Sequence, residues 1–421
     1  MRLETHISDM PDTSDAAPSA AQPGMPAARP ANRPVVLAVN AGSSSLKFAM
    51  FDAATEALMA EGLVDRIGPS GAIHMRGASG APLPVATGPL STHDEAFAVM
   101  LASIRAAFPG VTARAIGHRV VHGGIAHQGP ALLDDALLEE LERLVPFAPL
   151  HQPHNLAGVR AAMAAYPSVP QVAGFDTAFH RTQPFVNDTF ALPRDFYDRG
   201  VRRYGFHGLS YDYISAELAR IAPTLAAGRV VVAHLGNGAS MCAIQCGRSV
   251  ASTMGFSALD GLPMGTRCGQ LDPGVVLYLM QQEAMSADEI LDLLYLRSGL
   301  LGLSGLSNDM RELEASSDPQ ARQALDYFIF RLQRELGGMA AAMGGIDALV
   351  FCGGIGENSR LVRARVCERC EWMGIEIDHA RNADNAPVIS SDLSRTTVMV
   401  IPTDEEKVLA RQALAVVDAA G

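Results

Sequence analysis

The chain has 421 residues, of which 48% are hydrophobic and 19% are charged, so length and composition predict a globular protein of two or three domains. Its formal net charge of −12 disfavours nonspecific binding to nucleic acid or to an anionic membrane surface. An anionic small molecule would therefore need a local cationic site. No apolar run reaches the ~18 residues of a transmembrane helix. The acidic N-terminal segment is unlike a secretory signal, and we expect a cytoplasmic protein.

The first predicted structural unit follows a long polar segment. Residues 1–33 are rich in Ala, Pro, Ser and Asp and lack an apolar period, which predicts a disordered extension outside the fold. An apolar run from Pro34 predicts a strand that ends in a turn of small residues at 40–45. A second strand is predicted from Leu46 to Phe51. The folded chain is thus expected to begin with a strand–turn–strand unit.

A similar unit recurs in the middle of the chain, at 229–248, where RVVVAHL precedes the small-residue turn GNGAS. Two such units in one chain predict a duplicated pair of domains. A third glycine-rich segment, Gly353–Asn358, follows an apolar strand and is predicted to be a loop that opens into a helix at Arg360. Helical segments alternate with the strands, which predicts an α/β fold. The predicted helices include 135–144, 287–296 and 321–343.

The glycine-rich turns are candidate phosphate sites, because backbone N–H groups with little side-chain bulk around them can surround an anion. The first turn has the sequence NAGSSS and the second HLGNGAS. Each turn, taken alone, is also explained as an ordinary hairpin turn. Three glycine-rich segments after apolar strands favour a phosphate clamp of two facing hairpins, with the third segment against a nucleoside. None has the spacing of a P-loop or of a dinucleotide-binding GxGxxG motif.

Several polar residues stand among apolar and glycine neighbours, in segments such as GHRVVHGG, VAGFDTAFH and GLPMGTRCGQ. Each one alone is also explained as a satisfied structural residue. As a set they fit phosphoryl transfer, since arginines bind carboxylate and phosphoryl oxygens, histidines donate hydrogen bonds and carboxylates hold Mg²⁺. No GxSxG, HExxH or protein kinase motif is present. The set is Arg119, His122, Asp176, His180, His207, Arg267 and Glu405.

The six cysteines do not form a zinc-binding pattern. Cys367 and Cys370 have CxxC spacing, but no second Cys or His pair follows at zinc-finger spacing. A structural zinc site is the weaker interpretation. We expect reduced and mostly buried thiols.

Together these segments resemble the acetate kinase family, which belongs to the superfamily of actin-like proteins, sugar kinases and heat-shock ATPases. The resemblance runs from about Val35 to Ala415 and is carried by NAGSSSLKF, HRVVHGG, FDTAFH, YGFHG, HLGNGAS, MGTR, LDPG, GGIGEN and DEE. It implies an α/β fold of two duplicated actin-like ATPase (ribonuclease H-like) domains with a cleft between them. Domain I is expected at 34–180 plus 405–421, the latter a returning helix, and domain II at 181–404.

The resemblance also implies roles for individual residues. The implied catalytic residues are Asp176, His207, Arg267 and Arg119. The implied acyl-substrate residues are Arg119, Val121, Leu150, Phe206 and Ala258. The implied ATP-binding residues are Lys47, His234, Leu235, Gly236, Asn237, Gly238, Asp309, Met310, Arg311, Gly353, Gly354, Ile355, Gly356, Glu357 and Asn358. The implied metal residues are Asn40 and Glu405, with Asp176 helping to organise Mg²⁺ and with Ser43 and Ser45 on the phosphate and metal side of the first turn.

The activity implied by the resemblance is direct in-line phosphoryl transfer between ATP and acetate, giving acetyl phosphate and ADP. Acetate is ionised near neutral pH, so no general base is needed. The implied cofactor is Mg²⁺, with Mn²⁺ as a substitute, and the implied assembly is a homodimer. No nucleic-acid or membrane partner is expected.

The chain departs from the family pattern without losing an expected catalytic charge. Tyr211 stands where a histidine is expected, and Ala258 stands where proline is frequent near the methyl pocket. Cys268, Gln270 and Asp404 replace the more usual Ser, Asp and Asn. A larger pocket at Ala258 makes a propionate or butyrate kinase the first alternative. An ATP-driven binding or chaperone module and a non-catalytic ATP sensor are the others.

Overall fold

The structure is a computed structural model that describes residues 33–42 and 44–420. The prediction of a disordered extension lies outside these residues, except at Arg33. The first strand, β1 (Arg33–Ala41), begins at Arg33 rather than at Pro34. The guanidinium Nε of Arg33 lies 2.6 Å from Asp52 Oδ2, so Arg33 belongs to the fold. Ser43, predicted to lie on the phosphate side of the first turn, is outside the described residues.

The first sheet has seven strands in the order β4-β3-β2-β1-β5-β7-β6. Strands β1 to β4 form an antiparallel meander, while β5 and β7 continue the sheet parallel to β1. The other strands are β2 (Leu46–Asp52), β3 (Leu58–Asp65), β4 (Ala72–Gly77), β5 (Val111–Val120), β6 (Ala131–Leu132) and β7 (Gln171–Phe175).

The second sheet has five strands in the order β10-β9-β8-β11-β12. It repeats the plan of the first sheet, since an antiparallel meander (β8 to β10) is extended by parallel strands. This repeat agrees with the duplication predicted from the two strand–turn–strand units. The strands are β8 (Arg229–Leu235), β9 (Ala239–Gln245), β10 (Arg248–Ser252), β11 (Ala348–Cys352) and β12 (Thr397–Val400).

Sixteen α-helices in the described ranges pack around the two sheets, and none of them is long and apolar enough to cross a membrane. They are α1 (His93–Ala107), α2 (Asp135–Glu142), α3 (Gln152–Ala165), α4 (Phe185–Asp188), α5 (Arg194–Asp198), α6 (Gly208–Ile221), α7 (Pro223–Ala226), α8 (Pro273–Gln281), α9 (Ala287–Leu296), α10 (Gly299–Ser304), α11 (Met310–Ala315), α12 (Pro319–Ala342), α13 (Gly353–Asn358), α14 (Arg360–Cys367), α15 (His379–Ala383) and α16 (Glu405–Ala420). Three short 3₁₀ helices lie at Val145–Phe147, Ala178–Thr182 and Glu371–Met373.

The predicted helices agree with the structure to within two residues at either end, and α9 agrees at both ends. The prediction of a loop at Gly353–Asn358 was wrong, because this segment is the helix α13. Only its first residue, Gly353, has the left-handed backbone (φ 75°) that favours glycine. All six cysteines are free thiols, and four of them are buried, among them Cys367 and Cys370.

The last helix, α16, returns to the first sheet, as the resemblance implies. Its residues Val408 and Leu409 are buried against Val36 of β1. Close approach of α16 is allowed by Gly117 of β5, where an added Cβ would lie 2.6 Å from the Leu409 carbonyl oxygen. This packing brings the start of α16, at Glu405, to the end of the first sheet. The domain boundaries themselves stay a prediction.

We predict that Gly117→Ala destabilises the protein by about 1–3 kcal/mol, because the new methyl group would meet backbone atoms that no side-chain rotation relieves. The matched control is Gly338→Ala in α12, where a Cβ would have no neighbour within 4 Å. That change is expected to stabilise the helix by about 0.5–1 kcal/mol. Urea unfolding of both variants measures the difference, and equal stabilities would contradict the close packing of α16.

Candidate active site

A polar cleft of about 240 Å³ lies where the ends of both sheets meet. Its residues come from the carboxyl ends of β5, β7 and β8, the place where open α/β sheets usually bind ligands. Further lining residues come from the loops before α6 and α8 and from the start of α16. The lining residues are Arg119, Val121, His151, Asp176, Phe206, His207, His234, Gly236, Asn237, Gly238, Ala258, Arg267 and Glu405.

Arg119 at the end of β5 is held by two carboxylates. Its Nη2 lies 2.6 Å from Asp176 Oδ2, and its Nε lies 3.9 Å from Glu405 Oε2. Burial would lower the pKa of Arg119, but the two carboxylates raise it above its usual value. Burial raises the pKa of Asp176, and the charge of Arg119 offsets part of that increase. Arg119 therefore stays protonated, and the two carboxylates compensate its positive charge.

Arg267 differs from Arg119 because it has only neutral partners. Its Nη1 donates to the Ala258 carbonyl oxygen at 3.1 Å, and its Nη2 donates to His151 Nε2 at 3.2 Å. Among the described residues, no carboxylate forms an ion pair with it. Burial and the nearby Arg119 lower the pKa of Arg267. Its positive charge is thus uncompensated and available to an anion in the cleft.

His151 was missed by the sequence analysis, which instead selected its neighbour Leu150. Leu150 is half-buried and is not among the residues that line the cleft. His151 occupies the lining position and accepts the hydrogen bond from Arg267. Burial, Arg267 and Arg119 lower the pKa of His151 to about 3, so it accepts as a neutral imidazole. The only sequence signal for it was a histidine next to a predicted substrate residue.

Two imidazoles, those of His207 and His234, stack in the cleft with ring centroids 4.4 Å apart. Burial and neighbouring positive charge lower both pKa values, that of His234 to about 4. His207 has a left-handed backbone (φ 57°) and caps α6. The next residue, Gly208, donates its N–H to the Asp176 carbonyl oxygen at 2.9 Å, and a Cβ there would lie 2.1 Å from that oxygen. Glycine is therefore required for α6 to start beside Asp176.

The second glycine turn connects the cleft with a larger cavity. An added Cβ at Gly238 would lie 3.1 Å from His207 Nε2, so the absence of a side chain lets this turn approach the imidazole. Gly236 and Asn237 line both the cleft and the neighbouring cavity of about 820 Å³. The remaining lining residues of this cavity are Asn308, Asp309, Met310, Arg311, Glu314, Gly354, Ile355, Asn358 and Ser359, of which Asn308, Glu314 and Ser359 were not predicted.

Other predicted ATP or metal residues lie outside both cavities. Lys47 Nζ lies 2.9 Å from Glu406 Oε2, and the side chain of Lys47 lines a separate cavity beside β3 and β4. Asn40 is opposite Lys47 in the β1–β2 pair and lines neither cavity. Leu235 is fully buried in β8. Glu357 accepts the N–H of Gly353 at 2.9 Å, a contact within α13. Gly356 also belongs to α13 without lining the larger cavity.

The acids of the cleft fit a magnesium ion that is shared with a ligand. The described part of the chain has no group of three or more His, Cys, Asp or Glu residues placed to hold a metal ion by themselves. Mg²⁺ is usually bound through one or two carboxylates together with substrate phosphates and water. Asp176 and Glu405 flank Arg119 and border the same cleft, so they suit that mode of binding.

The buried histidines lead to a prediction of pH-dependent stability. Burial lowers the folded pKa values of His118 and His180 to about 4 from an ordinary 6.5. The unfolded chain therefore binds more protons than the folded chain between these values, and stability falls as the pH decreases from 6.5 to 4. Each such histidine is expected to contribute a loss of about 3 kcal/mol over that window.

Urea unfolding at several pH values between 4 and 7 measures this slope. His118→Gln should flatten it, since the glutamine does not titrate. A slope unaffected by His118→Gln would contradict the assignment.

The chain is similar to known kinases over most of its length. Residues 35–411 match the model of the acetokinase family. An acetate kinase of Methylocella silvestris is 59% identical over 397 residues, covering 91% of this chain and 98% of that protein. A propionate kinase from Francisella tularensis has a TM-score of 0.84 at 34% identity, covering 90% of this chain and 99% of that one. An acetate kinase from Porphyromonas gingivalis has a TM-score of 0.82 at 36% identity, covering 91% and 99%. The chain therefore belongs to the acetokinase family.

Proposed function

We propose that this chain is a kinase that reversibly transfers the γ-phosphoryl group of ATP to acetate, giving acetyl phosphate and ADP. The observation that carries this proposal is the guanidinium of Arg267, which lines the cleft without a carboxylate partner, whereas Arg119 is paired with Asp176. In a protein of net charge −12, this charge supplies the local cationic site that a small anion needs. Family membership and the names of the curated relatives support the choice of reaction.

The reaction follows from positioning and electrostatics. An acetate oxygen attacks the γ-phosphorus of ATP, the bond from phosphorus to the bridging oxygen breaks, and ADP leaves with the bond's electrons. Arg267 and Arg119 hold the acetate and offset charge on the phosphoryl oxygens, and His207 donates a hydrogen bond to them. The turn Gly236–Gly238 holds the ATP phosphates, while the 820 Å³ cavity takes the nucleoside. No general base takes part, because acetate is already ionised.

Magnesium is the proposed cofactor of this reaction. When bound, it would offset the charge of the ATP phosphates and help to orient them. Asp176 and Glu405 are the residues proposed to hold it, directly or through water. Burial raises the pKa of Glu405, and the charge of Arg119 partly offsets that increase. Asn40 is the third proposed metal residue, although it does not line the cleft.

Acetate is proposed as the preferred acid because the wall near the reacting carboxylate is small and apolar. Val121, Phe206 and Ala258 form this wall. Ala258 also accepts the hydrogen bond of Arg267, so its backbone is tied to the group proposed to bind the acid. One methylene in such a pocket changes specificity by only ~1–3 kcal/mol, and propionate is the second candidate substrate. The fold similarity to a propionate kinase favours this alternative over others.

Trapping of the acyl phosphate as its hydroxamate tests the activity. With Mg²⁺ and ATP, acetate should give a higher kcat/KM than propionate or butyrate, and removal of Mg²⁺ by a chelator should abolish product. Arg267→Ala should lower kcat/KM by at least about 100-fold, because it removes the uncompensated charge. The matched control, Arg220→Ala on the exposed face of α6, should retain wild-type turnover.

Each other result points to a different alternative. A higher kcat/KM for propionate would keep the chemistry and overturn the acetate preference, with Ala258 as the residue to change next. Binding of ATP without hydroxamate from any acid would favour a non-catalytic sensor or an ATP-driven binding module.

A homodimer is the proposed assembly, and an apolar surface on the second half of the chain supports it. Helix α8 has the sequence PGVVLYLMQ and no buried residue, although most of its residues are apolar. Large contiguous apolar patches on a protein surface usually mark an interface. The exposed apolar side chains of α8 and nearby elements are Leu271, Val275, Leu277, Tyr278, Met280, Leu296, Leu303, Leu306, Tyr327 and Phe330.

Light scattering coupled to size exclusion measures the assembly. The wild type should have twice the 44.5 kDa mass of the chain. Leu277→Glu should shift it towards the monomer, because a buried interfacial carboxylate without a partner is costly. Leu393→Glu, at an apolar residue that is 83% exposed elsewhere on the surface, is the control and should remain dimeric. A monomeric wild type would overturn the proposal.

The cytoplasm is the proposed location. The reason is chemical, since the reaction uses ATP and ADP, which the cytoplasm supplies. Fractionation of cells that express the protein from its own promoter tests this, and recovery of the protein in a membrane or external fraction would contradict it.

A further inference from the structure

Behind His207, on the side away from the cleft, two hydroxyl groups form a short chain. His207 Nδ1 lies 2.8 Å from Ser240 Oγ, and Ser240 Oγ lies 2.5 Å from the hydroxyl oxygen of Tyr211. Tyr211 is four residues after His207, so α6 presents it on the same face one turn later. Ser240 comes from β9, which follows the second glycine turn. Tyr211 and Ser240 both have no exposed surface.

The burial of Tyr211 determines which group donates and which accepts in each hydrogen bond of this chain. Within the described structure, Ser240 is the only hydrogen-bond partner of the Tyr211 hydroxyl. If Ser240 donated to Tyr211, the phenol proton would be buried without an acceptor, at a cost of about 1–3 kcal/mol. The favoured arrangement therefore has Tyr211 donating to Ser240 and Ser240 donating to His207. His207 Nδ1 is then the acceptor at the end of the chain.

An imidazole that accepts at Nδ1 carries its proton on Nε2 when it is neutral. His207 is neutral because burial, with His234 and Arg119 nearby, lowers its pKa well below the ordinary value. Its Nε2 faces the second glycine turn, since an added Cβ at Gly238 would lie 3.1 Å from this atom. This turn is the one proposed to hold the ATP phosphates. The Nε2 proton therefore points towards the site of phosphoryl transfer.

We propose that Tyr211 and Ser240 are positioning residues that hold His207 as the neutral tautomer with its proton on Nε2, ready to donate to the transferring phosphoryl group. The proposal rests on the proposed function for the role of that proton. It assigns a purpose to Tyr211, which stands where the family pattern leads us to expect histidine. Burial raises the pKa of Tyr211 well above its ordinary value, so the phenol remains a donor across the working pH range.

The neighbouring His234 shows why the tyrosine matters. His234 Nδ1 lies 2.8 Å from Ser210 Oγ, which in turn lies 2.8 Å from Thr403 Oγ1. Thr403 is only partly buried, so water can either donate a hydrogen bond to its hydroxyl group or accept one from it. The direction of that second chain is therefore not forced by burial. At His207 the direction is forced, because no water reaches Tyr211.

The tautomer is measured directly by two-bond ¹H–¹⁵N correlation spectra of protein labelled at histidine, with the His207 signals assigned from a His207→Gln sample. The wild type is expected to show His207 protonated at Nε2. Ser240→Ala removes the donor to Nδ1 and should bring the Nδ1-protonated form to a substantial fraction. Tyr211→Phe leaves His207 Nδ1 as the acceptor of the Ser240 proton, so this variant should keep the Nε2-protonated form. Tyr213→Phe, on the same helix, is the control and should leave the spectrum unchanged.

Kinetics separate positioning from a structural role. Ser240→Ala should lower kcat by about tenfold, with the KM values for ATP and acetate changed less than about twofold. Ser240→Thr, which keeps the hydroxyl group, should retain more of kcat than Ser240→Ala. Circular dichroism and thermal unfolding verify folding of each variant. If one variant fails to fold, the wild-type spectrum and the other variant still decide the result.

Two outcomes would overturn the inference. One is a wild-type His207 that carries its proton on Nδ1. The other is a folded Ser240→Ala variant with the wild-type tautomer and wild-type kcat. The spectra need no turnover, so they stand apart from the proposed function: a protein with the expected tautomers but without any acyl phosphate product would overturn the proposed reaction and leave the hydroxyl chain intact.

Discussion

The cleft depends on the partly buried guanidinium of Arg119. Asp176, after β7, holds it on one side, and Glu405, at the start of α16, lies on the other. Asp176 is buried, so removing Arg119 would leave a buried carboxylate without compensation, which is costly. The ends of β5 and β7 and the beginning of the C-terminal helix are therefore held together by residues that line the cleft. The ion pair of Arg119 with Asp176 therefore stabilises both the first sheet and the cleft.

The two arginines of the cleft have different electrostatic surroundings. Arg119 is compensated by carboxylates, whereas Arg267 is held by a backbone carbonyl and by the neutral imidazole of His151. A neutral acceptor can orient a guanidinium without cancelling its charge, which leaves that charge for a carboxylate or a phosphoryl group. In a protein of net charge −12, this arrangement leaves a local positive charge in the cleft.

The two stacked histidines of the cleft, His207 and His234, are neutral and add no positive charge to it. His207 and His234 stack on each other near positively charged arginines, so a further positive charge on either ring would be repelled. As neutral donors they can approach phosphoryl oxygens without adding charge that would have to be desolvated. Each ring has a serine hydroxyl at Nδ1, and only the chain through Tyr211 is sealed from water. Residues on the cleft side and on the buried side of the start of α6 thus both shape the surroundings of His207.

The sequence by itself determined the two strand–turn–strand units, the α/β class and most cleft residues, because apolar periodicity and glycine turns are local signals and the family motifs are contiguous. It did not determine that Gly353–Asn358 is helical, since glycine permits loop and helix alike. Three pairings were decided only by the tertiary structure. They are the hydrogen bond of Arg267 to His151, the ion pair of Lys47 with Glu406, and the hydrogen bond between Tyr211 and Ser240. These partners are 29 to 359 residues apart, and packing of distant elements, rather than local propensity, selects which donor faces which acceptor.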